Sequence, residues 1–146
     1  MKENILISGP VTDEYILSVL EQFGLQTDSG GLSIFLGKVR ADIVGGKRVR
    51  AIEYSTYKAM ANKEAAKIIE QIKSLFKEVR QIRICHSTGM IMAGENSMAV
   101  IILAVHRRQA IDACSMTVEL IKERLPVWKR EIFEDESTRW EQDLLA

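Results

Sequence analysis

The stretch Leu120-Ile121-Lys122-Glu123-Arg124-Leu125-Pro126-Val127-Trp128-Lys129-Arg130-Glu131 holds the junction on which the fold turns. Upstream of it Ile111, Cys114, Val118, Ile121 and Leu125 recur at steps of three and four, which predicts an amphipathic helix with one apolar stripe. At 100° per residue Lys122 lies roughly 70° from the middle of that stripe, at its margin, where a stem packs on the core and the ammonium looks outward. Pro126 has no N–H and biases Leu125 away from helical geometry, so the helix ends here and the chain runs on extended. Alternate side chains of an extended segment share a face. Lys129 and Glu131 therefore point one way, and Trp128 and Arg130 the other.

A lysine pair is ordinarily solvated surface, so its surroundings decide whether it is more. Met98 to Val105 is an unbroken apolar run of strand length, the pattern of a central strand covered on both faces. It hands over through His106-Arg107-Arg108 to the helix of Lys122, and the free N–H groups of a helix N-terminus favour an anion. A second basic turn follows the strand-like Gly31 to Gly37, where Lys38-Val39-Arg40 precede a Gly45-Gly46 loop. Gly37 lets the backbone approach a ligand or another chain closely. These features indicate a pocket for an anionic small molecule, and nothing narrower.

The narrower reading comes from resemblance. Phe35-x-Gly37-Lys38-Val39-Arg40, His86-x-x-Gly89, Gly94-Glu95, His106-Arg107-x-x-Ala110 and Lys122-x-x-x-Pro126-x-Trp128-Lys129-Arg130-Glu131 follow in this order, with Trp140 closing the set. In these motifs the chain resembles the MoaE family, the large catalytic subunits of molybdopterin synthase, over about residues 5 to 140. The resemblance implies an α/β hammerhead architecture with a small additional antiparallel β subdomain. It also implies a sulfurtransferase reaction of molybdenum cofactor biosynthesis. In it, cyclic pyranopterin monophosphate, an anionic pterin also called precursor Z, gains two sulfurs and becomes the molybdopterin dithiolene. Each sulfur arrives as a thiocarboxylate on the C-terminal glycine of a small ubiquitin-like subunit. Two large subunits form a central homodimer, and each takes one small subunit to give a heterotetramer. Carried over, Lys122 and Lys129 are catalytic; Lys38, Val39, Arg40, His106, Arg107, Arg130 and Glu131 join them in binding substrate, and Phe35 is a pocket wall. The resemblance implies no cofactor and no metal site.

The chemistry of the residues agrees with that assignment. Arginines, a histidine and a helix N-terminus suit a phosphate. Sulfur attack and hydrolysis of the acyl group left behind need proton transfer or charge stabilisation, and an ammonium supplies either. Desolvation and a neighbouring cation lower a lysine pKa, so one of the pair can hold a neutral amine while the other stays charged. Cys85 and Cys114 form no Cys-x-x-Cys pair and lie in apolar periodic contexts, which marks them as buried, inert thiols. If sulfur moves here, a partner brings it, and an extended C-terminal peptide entering a basic pocket is an established mode of recognition. Two positions depart from the family pattern: Ser87 replaces a common arginine, and Ser55 replaces a frequent glutamate. The first puts a substrate role for an expected turn at residues 86 to 89 in doubt, leaving His86 as a hydrogen-bonded strand end.

The 146 residues carry 20 basic and 20 acidic side chains, a net charge of zero that argues against broad nucleic-acid affinity. A chain of this length buries about two thirds of its unfolded surface, enough for one domain spanning 1–146 without disulfides or metal. No apolar run reaches membrane-spanning length, and Met1-Lys2-Glu3-Asn4 leads toward a strand, so a cytoplasmic location is expected. The expected elements are strands at 4–8, 31–39, 49–57, 80–87 and 97–105, helices at 13–23, 59–76 and 109–124, and an extended segment at 127–133. Thr12 caps the first helix and Gly24 stops it; Ala61, Ala65, Ile68, Ile72 and Leu75 form the apolar face of the second. Mixed elements without strict alternation indicate an α+β fold. Two other classes are compatible with the same cations: a non-catalytic anion- or nucleotide-binding regulator, and a scaffold whose chemistry lies in another subunit.

Overall fold

The computed structural model describes residues 4–141; Met1 to Glu3 and the last five positions of the expected domain lie outside the described residues. The elements run β1 (Leu6–Ser8), α1 (Asp13–Phe23), β2 (Gly31–Lys38), β3 (Ile43–Val44), β4 (Lys47–Thr56), α2 (Lys58–Leu75), β5 (Val79–Met92), β6 (Asn96–Ala104), α3 (Arg107–Arg124), β7 (Val127–Phe133) and β8 (Thr138–Trp140). The fold is α+β, as its sequence indicates. Eight strands form one sheet in the order β2-β6-β5-β4-β7-β8, with every neighbour along that path antiparallel, β1 parallel to β5, and β3 on β4.

β6 is the covered central strand its apolar run predicts. Its alternation sends Met98, Val100 and Ile102 into the main core with α2 and α3, while Ala99 and Ile101 face α1. The layers on either side follow from local signals. Thr12 accepts a hydrogen bond from the Tyr15 N–H, a cap worth about 1 kcal/mol, and Gly24 ends α1 at φ 67°. In α2, Ala61, Ala65, Ile68 and Ile72 are fully buried, each isoleucine contributing about 1.5–3 kcal/mol by leaving water. Leu75, counted in that stripe, is instead 55% exposed, because it sits in the last turn beyond the sheet's reach. Ile111 is likewise 57% exposed. The stripe of α3 runs through Ala110, Ala113, Cys114, Thr117, Val118 and Ile121, so small residues set the face and one larger apolar side chain points out.

β5 is where sequence and structure differ most. The expected turn at 86–89 is absent; the strand continues to Met92 and changes neighbours on the way. Its first half pairs with β6, Leu6 to Ser8 of β1 pair with His86 to Thr88, and Gly89 to Met92 pair with β4. Gly89, at φ 88°, supplies the positive torsion at the changeover. The distal half of β5, β4, β7 and the two short strands β3 and β8 make the small antiparallel addition. β3 turns into β4 through Gly45 and Gly46, both at positive φ, the requirement of a tight two-residue hairpin.

Candidate active site

α3 ends where Pro126 requires. Leu125 is its C-cap, at φ −72° and ψ 123°, and β7 starts at Val127. Arg124 donates to Glu64 at 2.7 Å and to Gln71 at 2.7 Å, which ties this last turn to α2 and fixes the base from which Lys122 projects. β7 pairs with β4 in a register that sets Lys129 opposite Tyr54 and Glu131 opposite Ile52, both turned inward. The result is a cavity of about 500 Å³ between the end of α3, β7 and the basic turn after β2. Lys122, Lys129, Lys38, Arg40, Glu131 and Phe35 all line it.

Lys122 stands at the mouth, and the surrounding protein mass, followed by the Lys129 charge, holds its amine below the ordinary lysine pKa; Glu141 and Glu119 pull the other way. Lys38 donates to the Gly94 carbonyl at 3.3 Å, and Arg40 is exposed at the rim in an ion pair with Asp42 at 3.3 Å. Glu131 is buried, its carboxylate held by Arg139 from β8, with Nε to Oε1 at 2.9 Å. Gly37 is indeed at a close approach, but to its own chain: a Cβ there would meet Met98 at 3.3 Å.

Four of the expected site residues lie elsewhere in the single chain. Val39 is a core residue, 2% exposed, whose N–H and carbonyl are both taken by the Gly94-Glu95 turn. It braces the basic turn and offers no group to a ligand. Arg130 obeys the alternation of β7 and faces the opposite side of the sheet, paired with Glu53 at 2.6 Å beneath the Trp140 ring. His106 and Arg107 cap the start of α3, where Glu78 accepts from the His106 backbone N–H and contacts Nδ1 at 3.1 Å. Fifteen residues of helix separate Arg107 from Lys122, about 22 Å along the axis. Within one subunit the two ends of α3 do not meet.

Tyr54, Arg139 and Glu141 line the cavity although no sequence signal singled them out. Arg139 was legible in principle as the opposite charge facing Glu131 across a strand pair. His86 is also part of the wall: 6% exposed, its ring edge-on to Tyr54 at 5.2 Å. Burial, then the charges of Lys129 and Lys122, push its pKa down to about 4 against a hydrogen bond donated to the Ser87 carbonyl, which favours the cation. Both cysteines are buried; burial pushes the Cys85 thiol up to about 12 and raises that of Cys114 as well. Among the described residues no group of three or more His, Cys, Asp or Glu side chains is placed to hold a metal, and no helix is long and apolar enough to cross a membrane.

The family model described as MoaE protein matches residues 11–124. The chain belongs to the MoaE protein family. The molybdopterin synthase catalytic subunit of Pyrococcus abyssi is 40% identical over 114 residues, which cover 78% of this chain and 75% of the relative. That of Drosophila grimshawi is 34% identical over 116 residues but much longer, and this chain spans about a third of it, 32%. Molybdopterin synthase from Staphylococcus aureus superimposes with a TM-score of 0.84 at 28% identity, covering 98% of this chain and 99% of that one. A complex of subunits 1 and 2 of molybdopterin-converting factor from Helicobacter pylori shares the fold, with a TM-score of 0.78 at 19% identity over 94% of this chain and 89% of that one.

Proposed function

We propose that this chain is the catalytic subunit of a molybdopterin synthase, a cytoplasmic sulfurtransferase folded as one domain. It moves sulfur from the thiocarboxylated C-terminus of a small ubiquitin-like partner to cyclic pyranopterin monophosphate. The observation that carries this reading is the convergence of Lys122 and Lys129 on one cavity from opposite sides of Pro126. Lys122, whose amine burial and the Lys129 charge hold below the ordinary lysine pKa, is the one suited to proton transfer, while Lys129 faces the anionic intermediates from β7. Arg40 and Lys38 extend the positive wall toward solvent, where a phosphate enters.

The partner is supported by the state of the cysteines. A sulfur-carrying thiolate needs exposure and an electropositive neighbourhood; Cys85 and Cys114 are both buried, and burial raises the pKa of each thiol, which favours delivery of the sulfur on another chain. The length of α3 supports a second copy of this chain. His106 and Arg107 belong to the family motif yet stand a helix length from Lys122, and a homodimer lets one subunit's helix start complete the other's cavity. With one small subunit on each large one, the assembly is a heterotetramer. The deciding experiment combines the purified chain, the pterin and the partner carrying either a thiocarboxylate or an ordinary carboxylate. Dithiolene product from the first and none from the second is expected; no product from either overturns the assignment.

A further inference from the structure

His86 is one of two histidines in the chain, and the chemistry above gives it no part. It lies on β5 beside the changeover from β6 to β4, and it forms part of the cavity wall. Its Nδ1 stands 2.8 Å from the carbonyl oxygen of Ser87. A carbonyl only accepts, so Nδ1 carries the hydrogen and the neutral ring keeps its lone pair at Nε2. The edge contact with Tyr54 holds the ring in that orientation. Among the described residues nothing bonds to Nε2, and it is not among the buried polar atoms sealed off without a partner. The cavity is the space left for it. A side chain more than nine-tenths buried thus presents one bare acceptor to a pocket walled by Lys122, Lys129, Lys38 and Arg40.

We propose that His86 is a specificity-determining residue whose Nε2 accepts a hydrogen bond from a ring N–H of the heterocyclic substrate held in this cavity. The inference rests on the pterin reading of the same site. A carboxylate at this place would also accept from an N–H, but it would neutralise the lysines and repel an anion. A neutral imidazole reads the donor and leaves the positive field intact. Burial first, and the two lysine charges after it, keep the ring uncharged well below the pH at which a free imidazole protonates. An anion lacking the N–H leaves a buried acceptor unpaired, which is the stronger form of discrimination.

Two substitutions separate the ring's nitrogens. His86→Asn keeps a donor for the Ser87 carbonyl and deletes the acceptor; His86→Gln places an amide oxygen near Nε2. Calorimetric titration with the pterin, followed by turnover with the thiocarboxylated partner, is expected to show a weakening of roughly three- to tenfold in Kd and KM for His86→Asn. His86→Gln is expected to recover most of that loss. Parent-like Kd in His86→Asn, equal losses in both variants, or a loss confined to kcat overturns the proposal, the last because it would assign Nε2 to a lysine. Nitrogen-15 histidine spectra of the unsubstituted protein test it without any variant: an Nδ1–H tautomer and a shift of Nε2 on adding the pterin are expected, and an Nε2–H tautomer overturns it. A protein that binds the pterin and makes no dithiolene refutes sulfur transfer while the Kd comparison still decides the role of His86; one that does not bind the pterin refutes both.

Discussion

Arg139 and Glu131 face each other across the β7–β8 pair, and the arginine grips a carboxylate that is otherwise buried in the cavity wall. The pair explains how a cavity built for an anion tolerates a glutamate: its charge is spent on Arg139. It also fastens the three-residue β8, which is too short to hold by backbone bonds alone.

Arg139→Ala is therefore expected to cost about 1–2 kcal/mol, less than the 3–5 kcal/mol of breaking a fully buried pair because the arginine is half in water. For a chain of this size that is a fall in Tm of about 3–6 °C. Glu131→Gln with Arg139→Ala should recover part of it, since the uncompensated charge is gone. A Tm unchanged by Arg139→Ala in a thermal melt would show that the carboxylate finds another partner.

Lys122→Ala and Lys129→Ala are each expected to slow product formation by about 10² to 10⁴ at unchanged Tm, the usual worth of a positioned proton-transfer or charge-stabilising group. Near-parent rates in both would end the catalytic assignment. The sign of the electrostatics gives a finer test. Lys122 is held below the ordinary lysine pKa, first by lost solvation and second by Lys129. Removing the Lys129 charge must raise the Lys122 pKa, whereas Glu141→Gln must lower it further. Lysine-labelled NMR titration of the two variants reads both shifts. The linkage runs the same way: a lysine pKa lowered by folding means the native state holds fewer protons, so stability contributed by this group rises with pH between the folded and the ordinary pKa.

The junction at Pro126 and the alternation after it were legible because both follow from local rules: proline stops a helix, and a strand has period two. That alternation placed Lys129 and Glu131 in the cavity and Arg130 outside it, where the family motif alone grouped all three. Val39 was misplaced for the opposite reason, since a motif marks a residue type without saying whether its side chain or its packing is what the site needs. β8 and the distal half of β5 were illegible. The distal half of β5 pairs with β4 residues 35 to 41 positions away, β8 is only three residues long, and the Gly89 torsion that lets β5 carry on has the same sequence signature as a turn. The separation of His106 and Arg107 from Lys122 was computable from helix rise once α3 was read as starting at 107 and not at 109.

That separation predicts complementation between two inactive chains. If each cavity takes its lysines from one subunit and His106 with Arg107 from the other, Lys122→Ala and Arg107→Ala are dead in opposite subunits. Mixed by refolding or coexpression, they form some dimers with one intact site, and random pairing restores about a quarter of the parent sites. Activity in the mixture above the sum of the two separate proteins is the expected result. Additive activities would contradict the shared site.

The last prediction concerns where the sulfur rides. Cys85 lies on β5 opposite Ala99 of β6, with its Sγ 3.8 Å from the Ala99 carbonyl, and Cys114 packs in the core against β6, 3.9 Å from the Val100 carbonyl. Neither thiol reaches the cavity, and burial favours the protonated, unreactive form of each. The double replacement Cys85→Ala with Cys114→Ala should turn over a thiocarboxylated partner at near the parent rate. It should pay only in stability, about 1–2 kcal/mol for two small voids in a closed-packed interior. Mass spectrometry during turnover should find no persulfide on the parent chain. A folded double variant that makes no product, or a persulfide on either cysteine, would place a sulfur relay inside this subunit and remove the reason for delivery by the partner's tail alone.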